Sequence, residues 1–190
     1  MCRDFPCFIG WRDRDASGRV TVVEAKLSTR PQRPIPLFGG AVTPATAAFC
    51  GRWADGLLTT GCNIDDLRQV VGAFRDNGGE DKPVDIQHAL SWAADEEIAI
   101  REALDQWRAP SVGGDAAWDL RQPQDFDAVA RTMTLDHLRK CIAISSDVGK
   151  HRAHIEAMAE LKPAAIHLHC VGRNQRAFIN MAAKHLVTTA

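Results

Sequence analysis

The feature that most constrains the fold is an alternation of short apolar segments with helical segments, which begins near Pro36 and continues to the carboxyl terminus. A helix-capping residue stands at several of these transitions, as at Thr43, Asn63, Asp95 and Asp147. Strands that alternate with helices form βαβ units and pair in parallel. Right-handed crossovers allow either an open doubly wound sheet or a (β/α) barrel. The pattern therefore predicts one α/β domain with a parallel sheet.

The individual elements follow from local patterns. The predicted strands are apolar or β-branched runs between turn formers, at residues 18–27, 37–41, 56–60, 84–92, 141–144 and 164–169. The predicted helices have apolar positions three or four residues apart, at residues 43–53, 64–74, 96–107, 126–130, 135–140, 148–161 and 175–187. These stripes predict a core of Ile64, Leu67, Val71, Phe74, Ile98, Leu104, Trp107, Ile155, Met158, Phe178 and Ile179.

Two segments fall outside the alternation. Residues 1–17 show no hydrophobic period, and we expect an irregular amino-terminal segment ahead of one unit at 18–190. Residues 109–124 are rich in Pro and Gly and predict an insertion between βα units.

Composition excludes several classes of protein. The 23 Lys and Arg residues are balanced by 24 Asp and Glu, so no basic excess favours nucleic acid. No apolar run reaches the roughly 18 residues of a membrane span, and no signal peptide is recognisable. The six cysteines form no Cys-x-x-Cys pair. We therefore expect a reduced, cytoplasmic protein without a disulfide framework or structural metal.

The first candidate site lies where the strand at 37–41 turns into a helix. Gly40, Ala41, Val42 and Thr43 offer backbone N–H groups at a helix amino terminus, which suits a phosphate group. The alternative interpretation is a tight turn before a capped helix. No G-x-G-x-x-G, G-x-x-x-x-G-K-[ST] or G-x-S-x-G motif is present, so a glycine-rich dinucleotide domain and an α/β-hydrolase are not supported.

The second candidate site follows the last strand. Gly172, Arg173 and Asn174 combine a glycine, a cation and a helix amino terminus, which again suits an anionic group, although a capped helix with a solvated arginine is an equal alternative. His167 and His169 share one face of that strand, and His169 is the candidate hydrogen-bond donor on the substrate side. No third ligand for a metal accompanies them.

Two further patterns have structural interpretations. His151 and His154 lie three residues apart on a predicted helix and are expected to be solvated. The run Gly51-Arg52-Trp53-Ala54-Asp55-Gly56 is expected to join helix to strand, with Asp55 bound to backbone N–H groups and able to pair with Arg52.

Together these segments resemble the luciferase-like family of flavin- and deazaflavin-dependent oxidoreductases. The matching runs are Pro34-Ile-Pro-Leu-Phe-Gly-Gly-Ala41, Ala47-Ala-Phe-Cys-Gly-Arg-Trp-Ala-Asp-Gly-Leu57 and Ile166-His-Leu-His-Cys-Val-Gly-Arg-Asn-Gln-Arg-Ala-Phe-Ile179. The approach at residues 18–27 is similar to the hairpin that precedes the first of these runs in the family. The nearest branch is that of the deazaflavin-dependent glucose-6-phosphate dehydrogenases.

The resemblance implies the carboxyl-terminal half of a (β/α) TIM barrel. It implies an oxidoreductase or monooxygenase that binds FMN or the deazaflavin coenzyme F420 together with a small-molecule substrate. The phosphate of that cofactor would contact Gly40 to Thr43 and Gly172 to Asn174, and the glycine pair of the family aligns with Val42 and Thr43. The amino-terminal strands that carry most catalytic residues in the family have no counterpart here, so no catalytic residue is assigned.

A second hypothesis follows from the same resemblance. The chain would be a non-catalytic half-barrel that needs a partner, because an unclosed sheet leaves strand edges unpaired. It would then self-associate as a homodimer, with Leu37, Leu57, Leu58, Ile86 and Leu168 on the open face. The alternative is a monomer in which the amino-terminal segment of 18 residues and the insertion at residues 109–124 cover the edges.

Overall fold

A computed structural model of the protein describes residues 14–16, 21–25, 31, 33–113, 117 and 119–187. Most of the predicted irregular segment 1–17 and parts of the predicted strand 18–27 and of the insertion 109–124 lie outside the described residues. Within these limits the order of elements matches the predicted alternation.

The strands are β1 Arg14–Ala16, β2 Val22–Ala25, β3 Phe38–Gly40, β4 Gly56–Thr60, β5 Val84–Ser91, β6 Ala143–Ile144 and β7 Ala165–Cys170. The helices are α1 Pro44–Gly51, α2 Ile64–Phe74, α3 Glu96–Gln106, α4 Pro123–Ala130, α5 Leu135–Cys141, α6 Val148–Ala159 and α7 Gln175–His185. A π-type turn, Arg75–Gly79, ends α2, and Gly78 adopts a φ of 97° there. Strand β1 lies within the segment that was predicted to be irregular, and it pairs antiparallel with β2 as a hairpin.

Four strands form a parallel sheet in the order β3-β4-β5-β7. The two-residue β6 also pairs with the end of β5, through Ser145 N–H to the Ser91 carbonyl. The Leu90 carbonyl accepts from Val171 N–H instead. Because successive carbonyls of a strand point to opposite sides, β6 lies on the β4 side of β5. Strands β3 and β7 are therefore the two edges of the sheet, as expected for half of a (β/α) barrel.

One face of the sheet is covered by helices. Leu57, Val84 and Ile86 are fully buried there against the buried side of α2, which includes Phe74. A second buried cluster packs α7 on β5 and β7 through Leu90, Cys170 and Phe178. Among the residues that the structure describes, the opposite, inner face has no such cover, and Leu58 on it is 44% exposed. The expectation that Leu57, Ile86 and Leu168 lie on the open face is wrong, because residues alternate between faces along a strand and Leu168 packs in the cluster of α7.

The helix caps follow the predicted residues. Thr43, Asn63, Asp95 and Asp147 each accept a backbone N–H of the first turn through their side chains. Asn174 occupies the cap position of α7 without such a bond. Its side-chain amide instead donates to the Trp92 carbonyl at 2.8 Å.

Part of the predicted core is corrected. Leu67, Val71, Phe74, Met158 and Phe178 are buried, whereas Ile64, Leu104, Trp107 and Ile155 are partly buried. Ile98 and Ile179 are exposed by 38% and 60%. Each is one position from the buried stripe of its helix, which runs through Ala99 and Ala103 in α3 and through Phe178 and Ala182 in α7. Moving one residue along a helix rotates the side chain by about 100° around the helix axis, which is enough to take it out of the buried stripe.

Asp55 joins the starts of β3 and β4. Its carboxylate accepts the Leu37 N–H at 2.8 Å, and its own N–H donates to the Leu37 carbonyl at 2.8 Å. This confirms a backbone-binding role for Asp55. Gly39 of β3 is also required by packing, because a Cβ on it would lie 2.6 Å from Cys50 Sγ.

Within the described ranges, no helix combines the length and the apolar character that crossing a membrane requires.

Candidate functional site

Polar side chains line the inner face of the half-barrel. Thr60, Gln87 and His167 share this face by register, as do Asp85 and His169 on the same strands. The Thr60 hydroxyl donates to the Gln87 carbonyl at 3.0 Å. Their alternation with the buried residues of the helical face is the strand period that the sequence predicted.

His169 is held by two contacts that sequence patterns did not identify. The Gln87 amide nitrogen lies 3.0 Å from His169 Nδ1. Because that amide nitrogen donates, Nδ1 accepts and the imidazole proton resides on Nε2. The Trp107 ring meets the imidazole edge-on, with centroids 5.0 Å apart. His169 near the carboxyl end of β7 therefore presents an Nε2–H donor.

His167 lies two residues before His169 on the same face of β7. Its Nε2 is 3.1 Å from Asp85 Oδ2, and the His167 side chain is 56% exposed. The two histidines share a face as predicted but have separate partners. Among the residues that the structure describes, no group of three or more His, Cys, Asp or Glu side chains is arranged to hold a metal ion.

The segment after β3 leaves backbone donors free. Ala41 N–H donates to the Leu58 carbonyl, and Thr46 N–H is capped by the Thr43 hydroxyl. The N–H groups of Val42, Thr43 and Ala45 have no partner within the described part of the chain. A Cβ on Gly40 would meet nothing within 4 Å, so the backbone is open to a ligand there. The first turn of α1 holds no acidic residue.

The segment after β7 already has carboxylate partners. Arg173 N–H donates to Glu102 Oε2 at 2.8 Å, and the Arg173 guanidinium pairs with Asp105 Oδ2 at 2.9 Å. Both members of that ion pair are more than half exposed. Glu102 and Asp105 belong to α3, about 70 residues earlier, so no local signal pointed to them. Gly172 is buried, and a Cβ on it would lie 2.8 Å from Asn174 Oδ1 and 3.7 Å from Glu102 Oε2.

The two predicted anion-binding segments lie on opposite edges of the sheet. Gly40 ends β3 and Gly172 follows β7, with β4 and β5 between them. Three interstrand spacings separate them by roughly 14 Å. One phosphate group therefore cannot contact both segments of a single chain.

A histidine cluster lies behind the sheet. The rings of His88 and His154 stack with centroids 5.5 Å apart, and His151 is 1% exposed with its Nε2 2.8 Å from the Ser145 carbonyl. The prediction that His151 and His154 are solvated is therefore wrong, because α6 places His151 against the Ser145 carbonyl and the partly buried His154 against His88. Both ring nitrogens of His88 are buried without a partner among the described residues. Burial, followed by the charges of His154 and His151, lowers the pKa of His88 to about 4.

A cavity of about 420 Å³ adjoins this cluster near the carboxyl end of β4. Its described lining includes Arg139, Lys150, His151 and His154 but no carboxylate. Cys62 also lines it, and burial raises the pKa of the Cys62 thiol. The cavity is thus basic in character. The sequence did not reveal it, because its residues come from three separate elements.

Comparisons with known proteins agree with this architecture. The family model described as luciferase-like monooxygenase matches residues 10–168. The F420-dependent glucose-6-phosphate dehydrogenase of Amycolatopsis mediterranei is 25% identical over 150 residues, which are 75% of this chain and 43% of that protein.

Two solved structures share the fold. An F420-dependent secondary alcohol dehydrogenase in complex with an F420–acetone adduct superposes with a TM-score of 0.79 at 16% identity, covering 93% of this chain and 56% of that one. The coenzyme F420-dependent tetrahydromethanopterin reductase from Methanopyrus kandleri gives 0.70 at 18% identity, covering 94% and 58%. The chain thus spans about half the length of the proteins it matches.

Proposed function

The chain belongs to the luciferase-like monooxygenase family, and from this premise we propose that it is the cofactor-phosphate-binding part of an oxidoreductase that uses coenzyme F420 or FMN. The three relatives described above are two F420-dependent dehydrogenases and an F420-dependent reductase. The single observation that carries the proposal is the row of free N–H groups beside the open backbone at Gly40.

These residues fit the phosphate of such a cofactor. The N–H groups of Val42, Thr43 and Ala45 supply donors at the positive end of α1, where an anion is stabilised. Pro44 at the first helical position has no N–H and fixes the turn that exposes its neighbours. No carboxylate in the first turn competes for these donors.

On the substrate side, His169 is the proposed donor. The hydrogen bond from Gln87 to Nδ1 leaves the imidazole proton on Nε2, and Trp107 packs against the ring. The imidazole is therefore oriented before a ligand binds. A bound flavin or deazaflavin supplies hydride transfer, while the protein binds and orients it. The residues of this chain thus bind the phosphate and donate a hydrogen bond.

The basic cavity supports an anionic substrate. Arg139 and Lys150 line it and no carboxylate is among its described lining residues, although Arg139 also pairs with Asp136 at 3.9 Å outside it. A phosphorylated sugar, the substrate class named for the Amycolatopsis relative, has the matching charge. We therefore extend the proposal to a phosphorylated or otherwise anionic small molecule.

Fluorescence titration with F420 and FMN tests the cofactor site, with riboflavin as the ligand that lacks the phosphate. We expect the wild-type chain to prefer FMN over riboflavin by at least about tenfold, since charge-assisted bonds to phosphate contribute more than 1 kcal/mol. The Gly40→Val variant should lose this preference, because its side chain enters the open space. Gly72→Val is the matched control, since Gly72 is equally open but lies within α2. Equal affinity for FMN and riboflavin in the wild type would contradict the proposal.

The second candidate is a half-barrel that binds a partner without catalysis. The open edges at β3 and β7 favour it. A folded chain that binds neither F420 nor FMN would support this candidate over the first.

A further inference from the structure

Buried histidine nitrogens without partners lie beside the basic cavity. Both ring nitrogens of His88 and the Nδ1 atoms of His151 and His154 are buried with no hydrogen-bond partner among the described residues. His151 and His154 line the cavity of about 420 Å³, and His88 stacks on His154 where α6 packs against the sheet. Buried polar atoms are nearly always paired, so this group of atoms indicates a polar occupant of the cavity.

His151 is the histidine of this cluster that is both almost fully buried and part of the cavity wall. It is 1% exposed, and its Nε2 lies 2.8 Å from the Ser145 carbonyl. A carbonyl oxygen only accepts, so Nε2 carries the proton of the neutral ring and Nδ1 holds a lone pair. A second proton, on Nδ1, would make the ring a cation without disturbing the bond to Ser145.

The charges around His151 decide when it takes that second proton. The titratable and charged groups that share the cavity or interact with His151 are Lys150, His154 and the cap Asp147 of α6, His88 of β5, Glu96 of α3, Cys62 after β4, and Arg139 of α5 with its partner Asp136. Burial lowers the pKa of His151, although the Ser145 carbonyl and the carboxylates of Glu96 and Asp147 act in the opposite direction. The ring is therefore neutral at pH 7 when only these groups surround it.

We propose that the cavity binds an oxyanion together with one proton, which His151 takes up from solvent as the anion enters. The inference rests on the proposed function, in which this cavity holds an anionic ligand. The anion supplies the negative charge that the described lining lacks, so the imidazolium is stabilised beside Arg139 and Lys150. No covalent bond of the ligand changes, and the Nε2–H of His151 stays on the Ser145 carbonyl.

The affinity for the anion then depends on pH with a defined sign. The free chain has a neutral His151 ring and the complex a protonated one, so raising the pH above about 6.5 weakens binding, with a limit of tenfold per pH unit for one proton. By the same linkage, the bound anion raises the pKa of His151. A cavity that binds the anion without a proton has the same affinity throughout this range.

Calorimetric titration of the full chain with sodium sulfate tests the coupling, because sulfate keeps its charge around neutral pH. At constant ionic strength we expect the Kd at about pH 7.5 to be roughly five- to tenfold weaker than at about pH 6.5. Buffers with different ionisation enthalpies should give different binding heats at neutral pH, corresponding to the uptake of close to one proton. Equal affinities at both pH values overturn the proposal, as do equal heats in all buffers or the absence of sulfate binding at millimolar concentration.

Long-range ¹H–¹⁵N spectra of the wild type identify the group that takes the proton. At neutral pH, sulfate should convert the His151 ring from the Nε2–H form to the doubly protonated form. His88 should stay neutral, because burial lowers its pKa to about 4. A His151 ring that remains neutral with sulfate bound overturns the proposal, and this measurement needs no variant.

His151→Gln keeps an amide donor for the Ser145 carbonyl but cannot take up a proton. Its sulfate affinity should be independent of pH and weaker than that of the wild type at about pH 6.5. His137→Gln is the matched control, because His137 also contacts a backbone carbonyl, that of Ser111 at 3.0 Å, and is not among the described lining residues. Circular dichroism verifies folding, and a folded His151→Gln chain with the wild-type pH dependence contradicts the assignment.

Lys150→Gln separates this cavity from the backbone donors at Gly40–Thr43. Lys150 lines the cavity, so its loss should remove the proton-coupled part of sulfate binding, whereas Lys184→Gln at the exposed end of α7 should leave it unchanged. Unaltered proton uptake in Lys150→Gln overturns the location. A chain that binds sulfate with a proton but binds neither F420 nor FMN refutes the proposed cofactor function alone, whereas FMN binding with buffer-independent sulfate heats refutes only this inference.

Discussion

At the scale of single residues, Gln87 determines which nitrogen of His169 carries the proton. Replacing Gln87 with Leu removes the donor to Nδ1, and we expect His169 to change from the Nε2–H form to a mixture of tautomers. Long-range ¹H–¹⁵N correlation spectra of the imidazole measure this directly. Gln106→Leu is the control, since the Gln106 amide donates to its neighbour Asp105 and not to His169. An unchanged His169 spectrum in Gln87→Leu would remove Gln87 from its positioning role.

His88 makes stability depend on pH. Its pKa is lowered from 6.5 to about 4 in the folded chain, so between these values the unfolded chain binds a proton that the folded chain does not. Stability therefore falls as pH decreases from about 6.5 to about 4, by on the order of 3 kcal/mol. His88→Leu removes this titration and should flatten urea-unfolding free energies over that window.

The control for this measurement is His185→Gln, at an exposed position in the last turn of α7, which should keep the wild-type pH dependence. At neutral pH, His88→Leu should be at least as stable as the wild type, because it removes two buried ring nitrogens without partners. A His88→Leu chain as sensitive to acid as the wild type would show that other groups govern the effect.

At the scale of elements, Asp55 links β3 to β4, because it precedes β4 and its carboxylate accepts the N–H of Leu37 before β3. Asp55→Ala removes the bond to Leu37 N–H and should lower the free energy of unfolding by about 1 kcal/mol. Asp81→Ala, at an exposed turn position before β5, is the control and should change it by less than about 0.5 kcal/mol. Thermal unfolding measures both variants against the wild type. If Asp55→Ala melts at the same temperature as the wild type, water replaces the hydrogen bond to Leu37 at no cost.

The sequence predicted elements well where the signal is local. A capping residue and a hydrophobic period act within a few positions, so Thr43, Asn63, Asp95 and Asp147 were identified correctly. The rotation of a helix about its axis depends on its neighbours instead. On α3, Ala99 and Ala103 face the buried core, so Ile98 is exposed to solvent although it is more apolar. Small residues allow close packing that a count of apolar residues does not reveal.

The candidate site was predictable only in part for the same reason. Backbone geometry at Gly40–Thr43 follows from the order strand, glycine, cap and helix, which the sequence displays. The carboxylates of Glu102 and Asp105 reach Arg173 across about 70 positions, and such contacts exist only after the sheet has formed.

At the scale of the whole molecule, the ion pair between Arg173 and Asp105 sets the charge at one end of the sheet. Asp105→Asn should free the guanidinium and strengthen binding of inorganic phosphate severalfold, with stability changed by less than about 1 kcal/mol, since the pair is exposed. Isothermal titration calorimetry at low salt measures the affinity. Asp65→Asn, which breaks the exposed pair with Arg68 on α2, is the control. Unchanged phosphate affinity in Asp105→Asn would exclude Arg173 as an anion ligand.

The order of strands has a consequence for how the chain reaches this structure. Strand β3 pairs with β4, and β4 with β5, across short helical connections, whereas β7 meets β5 across 82 positions, as between Asp85 and His167. Closing a longer loop costs more chain entropy and slows folding. Residues 33–91 should therefore become ordered first and serve as the template on which β7 docks. In pulse-labelling experiments, amides of β4 should become protected before those of β7.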